Sequence, residues 1–240
     1  MAMAGRILFF TGAGMSAESG VPTYRGHGGI WGQYRWEDFA CQRAFEQGPA
    51  RVLDFHEQRR AKVLHCEPHP GHLHLARLQQ AREGICVVTQ NTDGLHTRAG
   101  VRDVVELHGS LWRLRCPRHG KLEDRAAGRY VRRDCPECGT VLRPDIVWFE
   151  DPLDPLVFAR ADRCVRECDT FVAVGTSAVV WPAAGLIHRA REAGAHMIEL
   201  NVDDTGLSDL FDERWRGTAG QLLPERFPLP AGSHATAAAP

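Results

Sequence analysis

Ile7-Leu8-Phe9-Phe10-Thr11-Gly12-Ala13-Gly14-Met15-Ser16-Ala17 is the stretch on which the fold of this chain turns. Its unbroken apolar run, stopped by glycine, reads as a strand buried on both faces. The turn that follows fits the pattern G-x-G-x-x-G/A, in which glycines let the backbone approach a pyrophosphate. The negative charge there is met by the amides that open the next helix. The same residues also suit a tight strand-to-helix turn that binds nothing. What comes next is irregular: Ser19-Gly20-Val21-Pro22 ends any helix early. Tyr24 to Trp36 then reads as a long loop rich in Gly, Arg and aromatics, placed to close over a bound cofactor.

Working outward, Ile85–Thr89, Val104–Leu107, Phe171–Val174 and Met197–Leu200 are further short apolar strands. Between them Arg51–Val63, His72–Ala81, Leu153–Cys168 and Ala183–Ala193 have helical spacing. This alternation implies an α/β fold, a Rossmann-like parallel sheet with helices on both faces. Residues 115–143 break the pattern, being polar, arginine-rich and marked by three cysteines. They read as a small inserted lobe, with 1–114 and 144–230 forming the sheet domain that carries the dinucleotide turn. The Ala, Thr, Ser and Pro of 231–240 have no periodicity and read as a disordered tail.

A net charge of -1 over 240 residues gives no reason to expect nucleic acid or a membrane surface as partner. No apolar run approaches the roughly 20 residues a bilayer needs, and the N-terminal run lacks a cleavage site. Of 29 basic residues only Lys62 and Lys121 are lysines, and the arginines are scattered along the chain. Eight cysteines are too few for a disulfide scaffold and suit a reducing cytoplasm. A monomer is the expectation.

Two polar segments close predicted strands. Thr89-Gln90-Asn91-Thr92-Asp93-Gly94 follows Cys86-Val87-Val88, and side chains at the carboxyl ends of such strands line the ligand crevice. Asn91 and Asp93 would thus face the cleft of Gly12 and Gly14, an amide and a carboxylate suited to gripping a carboxamide and a water. Asn-Thr-Asp-Gly is equally a good turn sequence. His108, in Leu107-His108-Gly109, is a natural general base near neutral pH. Separately, Cys116-x-x-His119, fifteen residues, then Cys135-x-x-Cys138 has the spacing of a structural zinc site. Cys41, Cys66, Cys86, Cys164 and Cys168 have no such spacing and read as buried apolar residues.

Taken together, Gly12 to Pro22, Tyr24-Arg25, Thr89 to Asp93 and His108-Gly109 resemble the signature blocks of the sirtuins in order and spacing. Gly175-Thr176-Ser177 and Glu199-Leu200-Asn201 resemble that family's later cofactor segments, so the likeness runs from about Arg6 to Leu223. The resemblance implies an NAD-dependent protein-lysine deacylase, most like the class III, bacterial-type branch. It implies that Gly12, Ala13, Gly14, Arg25, Gly175, Thr176, Ser177 and Asn201 hold the phosphates and adenosine of NAD. Gln90, Asn91 and Asp93 would surround the nicotinamide ribose. The acyl oxygen would displace nicotinamide, His108 would take a proton from a ribose hydroxyl, and water would finish the reaction, leaving free lysine, nicotinamide and O-acyl-ADP-ribose.

The helix around Arg51–Lys62 resembles the acyl-pocket helix of class III sirtuins, in which a Tyr and an Arg three apart bind acidic acyl chains. Here His56 and Arg59 stand in those positions, on one helix face. His56 is expected to donate to an acyl carboxylate, more strongly when protonated, and small Ala17 to widen the tunnel. Succinyl and malonyl groups are therefore favoured beside acetyl. Val147-Trp148-Phe149 and Ala178–Trp181 would flank an extended acyl-lysine peptide. Glu150 stands where the family usually places Gly. Rival readings are ADP-ribosyl transfer or NAD hydrolysis on the same fold, a non-enzymatic NAD sensor, and a zinc-lobed nucleic-acid binder.

Overall fold

The computed structural model describes residues 5–24, 29–125 and 128–230. Arg25 and the tail 231–240, both assigned roles by the sequence, lie outside the described residues. Strand β1 (Ile7–Thr11) leads into a 3-10 helix, Ala13–Ser19, that stops at Gly20 with a left-handed φ of 84°. The segment expected to be loop, 24–36, carries one short helical turn among its described residues, α1 (Ile30–Gln33), and α2 (Trp36–Phe39) and α3 (Gln42–Gln47) follow it. After them come the long α4 (Pro49–Leu64), α5 (Pro70–Ala81), β2 (Ile85–Thr89), α6 (Leu95–Arg98) and β3 (Val105–Glu106). Strands β4 (Gly109–Cys116), β5 (Gly120–Glu123) and β6 (Arg143–Ile146) follow. The chain then alternates α7 (Pro155–Glu167), β7 (Thr170–Val174), α8 (Gly185–Glu192), β8 (His196–Asn201), β9 (Glu213–Arg216) and α9 (Ala219–Arg226).

Six strands form a parallel sheet in the order β3-β2-β1-β7-β8-β9. β1 is central, Ile7 lying opposite Ile85 on one side and Thr170 on the other. Strand periodicity then divides its side chains between two cores. Leu8 and Phe10 pack with Val165 of α7 and Leu186 of α8, while Ile7 and Phe9 pack with Leu75 of α5 and Leu222 of α9. Each such side chain contributes about 1.5–3 kcal/mol by leaving water, which is why β1 has no polar face. All six carboxyl ends lie along one edge, where the order reverses about β1 and opens a crevice.

The second sheet is antiparallel, in the order β5-β4-β6, and shares a third core with α2, α3 and α4 through residues such as Phe45, Leu53, Leu111 and Trp148. Arg60 of α4 has no exposed surface and donates 2.7 Å bonds to the Leu111 carbonyl and the Asp124 carboxylate. Arg60 is thus the pin between α4 and this sheet. The free cysteines also divide differently from expectation. Cys41 and Cys66 are buried, whereas Cys86, Cys164 and Cys168 are only partly so. A thiol hydrogen bond links Cys86 and Cys164, raising the first thiol and lowering the second to about 7. Among the described residues no helix is long and apolar enough to cross a membrane.

Candidate active site

The glycine turn after β1 lies backbone to backbone against the turn after β7. Gly14 N–H donates to the Gly175 carbonyl at 2.8 Å, and Gly12 N–H donates to that of Val174 at 2.9 Å. A Cβ on Gly12 would lie 2.7 Å from the Thr176 Cα, and one on Gly14 would lie 2.8 Å from the Gly175 Cα. Only glycine allows this approach. Together with Ala13, Thr176, Ser177 and Asn201, these turns line a cleft of about 350 Å³. Asn201 Nδ2 is held on the Thr176 carbonyl at 3.0 Å, which ties the end of β8 to the same loop.

The polar turn after β2 forms the other wall. Gln90 donates to the Thr176 hydroxyl at 3.0 Å, and Asn91 Nδ2 donates to the Gly12 carbonyl at 2.9 Å and the Ser16 hydroxyl at 3.2 Å. Asp93 is buried, accepts from Leu95 N–H at 2.8 Å, and its carboxyl is raised above the usual range chiefly by burial. His108 places Nδ1 3.0 Å from the Gln90 carbonyl. A carbonyl can only accept, so Nδ1 carries the hydrogen and Nε2 keeps its lone pair. Burial lowers the His108 pKa, so the ring is neutral at neutral pH.

His108 and Gln90 border both this cleft and a second cavity of about 180 Å³, reached by His56 and Arg59 from α4 and by Val147, Trp148 and Phe149. A dinucleotide cleft and a second chamber thus meet at one neutral imidazole. A sequence profile described as the Sir2 family matches residues 12–182. The chain belongs to the Sir2 family, the sirtuins. It is 43% identical over 224 residues to an NAD-dependent protein deacylase of Thermococcus kodakarensis, covering 90% of this chain and 87% of that protein. A solved Sir2 homolog–NAD complex is similar at a TM-score of 0.85 and 41% identity, over 92% of this chain and 88% of that one. A Sir2 structure with a deacetylated p53 peptide and 3'-O-acetyl ADP-ribose matches at 0.81 and 27% identity, over 96% and 94%.

Three expectations about the sirtuin's acyl pocket need correction. His56 is fully buried and its Nε2 accepts from the Trp148 indole N–H at 3.2 Å. Burial, then the charge of Arg59, drives its pKa well below the ordinary value, so it is no protonated carboxylate donor. Ala17 is exposed and lines neither of these two cavities, because it sits on the outer side of the 3-10 helix. Trp148 is a core residue, stacked on His56 and lying 3.7 Å from the Arg143 guanidinium carbon. The amides of Val147, Trp148 and Phe149 are already taken, by the His108 carbonyl, the Asp151 carboxylate and the Ala40 carbonyl. Glu150 holds φ at 73°, so the backbone keeps a glycine conformation without the glycine, at a cost of about 1–3 kcal/mol.

The sequence alone did not single out Ser16 or the histidines behind it. Ser16 Oγ lies 3.4 Å from His72 Nε2, and the rings of His69, His72 and His96 stand in a row 4.3 and 4.9 Å apart. Burial lowers His72 to about 2 and His96 to about 3. His72 and His96 are therefore neutral rings, and His72 backs the Ser16–Asn91 contact. The only signal in the sequence was the density of His around Pro70, which no periodicity explains.

In the lobe, Cys116, His119, Cys135 and Cys138 bring one ligand atom each within 4.8 Å of one another. The Cys116 and Cys138 sulfurs are 3.7 Å apart, and His119 Nδ1 is 3.3 Å from the Cys135 sulfur. A tetrahedral zinc with Zn–S bonds near 2.3 Å needs sulfurs about 3.8 Å apart, so the donor set fits. Glu137 stands 3.7 Å from His119 Nε2, placed to orient the ring from behind. Four protein ligands leave no open position, which makes the site structural.

Proposed function

We infer that this sirtuin is an NAD-dependent protein-lysine deacylase that removes acetyl groups and acyl groups ending in a carboxylate, such as succinyl and malonyl. The observation that carries the reading is His108, which borders both the dinucleotide cleft and the second cavity and whose Nε2 has no hydrogen-bond partner among the described residues. Gly12, Gly14 and Gly175 leave bare backbone for the diphosphate, with Ala13, Arg25, Thr176, Ser177 and Asn201 holding the adenosine side. Gln90, Asn91 and Asp93 hold the nicotinamide ribose. Bound NAD would supply the sugar that receives the acyl group, and with one water consumed the products are free lysine, nicotinamide and O-acyl-ADP-ribose. His108 accepts a proton at Nε2 from a sugar hydroxyl, while the Gln90 carbonyl fixes the ring. Burial of Asn91 and Asp93 lowers the local dielectric and strengthens their polar contacts.

The acyl-lysine enters as part of an extended peptide past Phe149 and Val180, both of which line the second cavity. Arg59 supports the acidic-acyl reading, since it reaches this cavity with no carboxylate at ion-pair distance among the described residues. The zinc lobe, 115–143, is a strut for the sheet domain formed by 1–114 and 144–230. Its core extends to α2–α4, which share buried side chains with it. The protein works as a cytoplasmic monomer, a setting that suits its free thiols. The test is His108→Ala. Deacylation is expected to vanish while NAD affinity, read by calorimetry, stays near wild type. Wild-type turnover in the variant would remove His108 from the mechanism.

A further inference from the structure

Tyr24 borders all three cavities on this face: the dinucleotide cleft, the chamber beside His108, and a third cavity of about 110 Å³ beneath α4. Its hydroxyl accepts a hydrogen bond from Arg59 Nη2 at 2.5 Å and lies 3.3 Å from the Thr92 hydroxyl. The guanidinium carbon sits 5.2 Å from the centre of the Tyr24 ring, and that ring packs against Trp31 at 6.0 Å. Arg59 is therefore aimed by Tyr24. One turn earlier on α4, His56 is fully buried and its Nε2 is committed to Trp148.

We propose that Tyr24 is the second recognition group for an acyl carboxylate, and that it takes the place sequence comparison gives to His56. This rests on Arg59 being the acyl ligand, as argued above. While the hydroxyl accepts from Arg59 its own proton is free to be donated, and its 3.3 Å contact with Thr92 is long for an O–H···O bond. A carboxylate arriving at Arg59 meets a guanidinium and a phenol close enough for its two oxygens to take one each. Acyl chains of malonyl or succinyl length gain both bonds, whereas acetyl gains neither. Hydrogen bonds to a charged group are the strong class, so losing one is expected to change selectivity about tenfold.

The experiment compares kcat and KM on one peptide carrying succinyl-lysine or acetyl-lysine, for wild type, Tyr24→Phe and Arg59→Met. Phenylalanine keeps the ring and its packing, so only the hydroxyl is removed. Any disturbance of the NAD cleft acts on both substrates and cancels in their ratio. Tyr24→Phe is expected to lower the succinyl-to-acetyl ratio of kcat/KM about tenfold, through a raised KM for the succinyl peptide, and Arg59→Met is expected to lower it further. An unchanged ratio in Tyr24→Phe alongside a collapsed one in Arg59→Met overturns this assignment and leaves the acidic-acyl reading standing. An unchanged ratio in Arg59→Met overturns both.

Discussion

Replacing Arg60 by methionine keeps an apolar stem and removes the guanidinium that joins α4 to the second sheet. In the native fold that group donates to the carbonyls of Leu111 and Asp124 and to the Asp124 carboxylate, each at 2.7 Å. Asp124 is only 6% exposed, and without Arg60 its carboxylate keeps one donor among the described residues, the Val131 amide at 2.9 Å. Breaking a buried pair by removing one partner costs about 3–5 kcal/mol. At this chain length each kcal/mol moves the melting temperature by about 2–4 °C, so Arg60→Met is expected to melt about 6–20 °C lower. Thermal melts followed by circular dichroism measure this, together with Asp124→Asn and the double variant. Because the two groups share one interaction, the double variant should lose about 1–3 kcal/mol less than the sum of the singles. A single variant melting within about 2 °C of wild type, or strictly additive losses, would refute the role of Arg60 as a pin.

Other expectations follow from the titrating groups and the metal site. His108 has its pKa lowered below 6.5, and a base acts when deprotonated, so kcat/KM should be flat above pH 6.5 and fall only below it. An acid limb centred above pH 7 would contradict the assignment. His72 and His96 are depressed in the fold to about 2 and about 3, so the unfolded chain takes up protons that the native one refuses. Their contribution is present above pH 6.5 and is lost as the pH falls, each ring costing about 1.4 kcal/mol per pH unit below 6.5. Melting temperature measured from pH 7 to 5 should therefore decline, and a flat profile would count against neutral buried rings. Metal analysis should find one zinc per chain, lost in Cys138→Ala and kept in His119→Cys. Full zinc content in His119→Ala would show that His119 is not a ligand.

The parallel sheet was legible because β1, β2, β7 and β8 are buried on both faces and read as bare apolar runs. β9 was not, since Glu213-Arg214-Trp215-Arg216 is an edge strand whose charged side chains face water. The second sheet was hidden as well. Arg113 and Arg143 look solvent-bound in sequence, yet they are partly buried against Glu106, Asp145 and Asp151, partners that only tertiary structure supplies. The clustering of Cys116, His119, Cys135 and Cys138 was readable from local spacing, as was the place of His108 just ahead of β4. His56 was misread because its partner, Trp148, lies 92 residues away. Ala17 was misread because spacing along a 3-10 helix does not reveal which side meets the cavity.

The measurement that tests the central claim most directly is product stoichiometry. The protein is incubated with NAD and an acetyl-lysine peptide, and nicotinamide, deacylated peptide and O-acetyl-ADP-ribose are quantified together by mass spectrometry. Equal amounts of all three, growing in step, are the predicted result. Nicotinamide released while the peptide keeps its acyl group, with ADP-ribose free or attached to the peptide, would contradict the account and make the protein an NAD hydrolase or an ADP-ribosyltransferase.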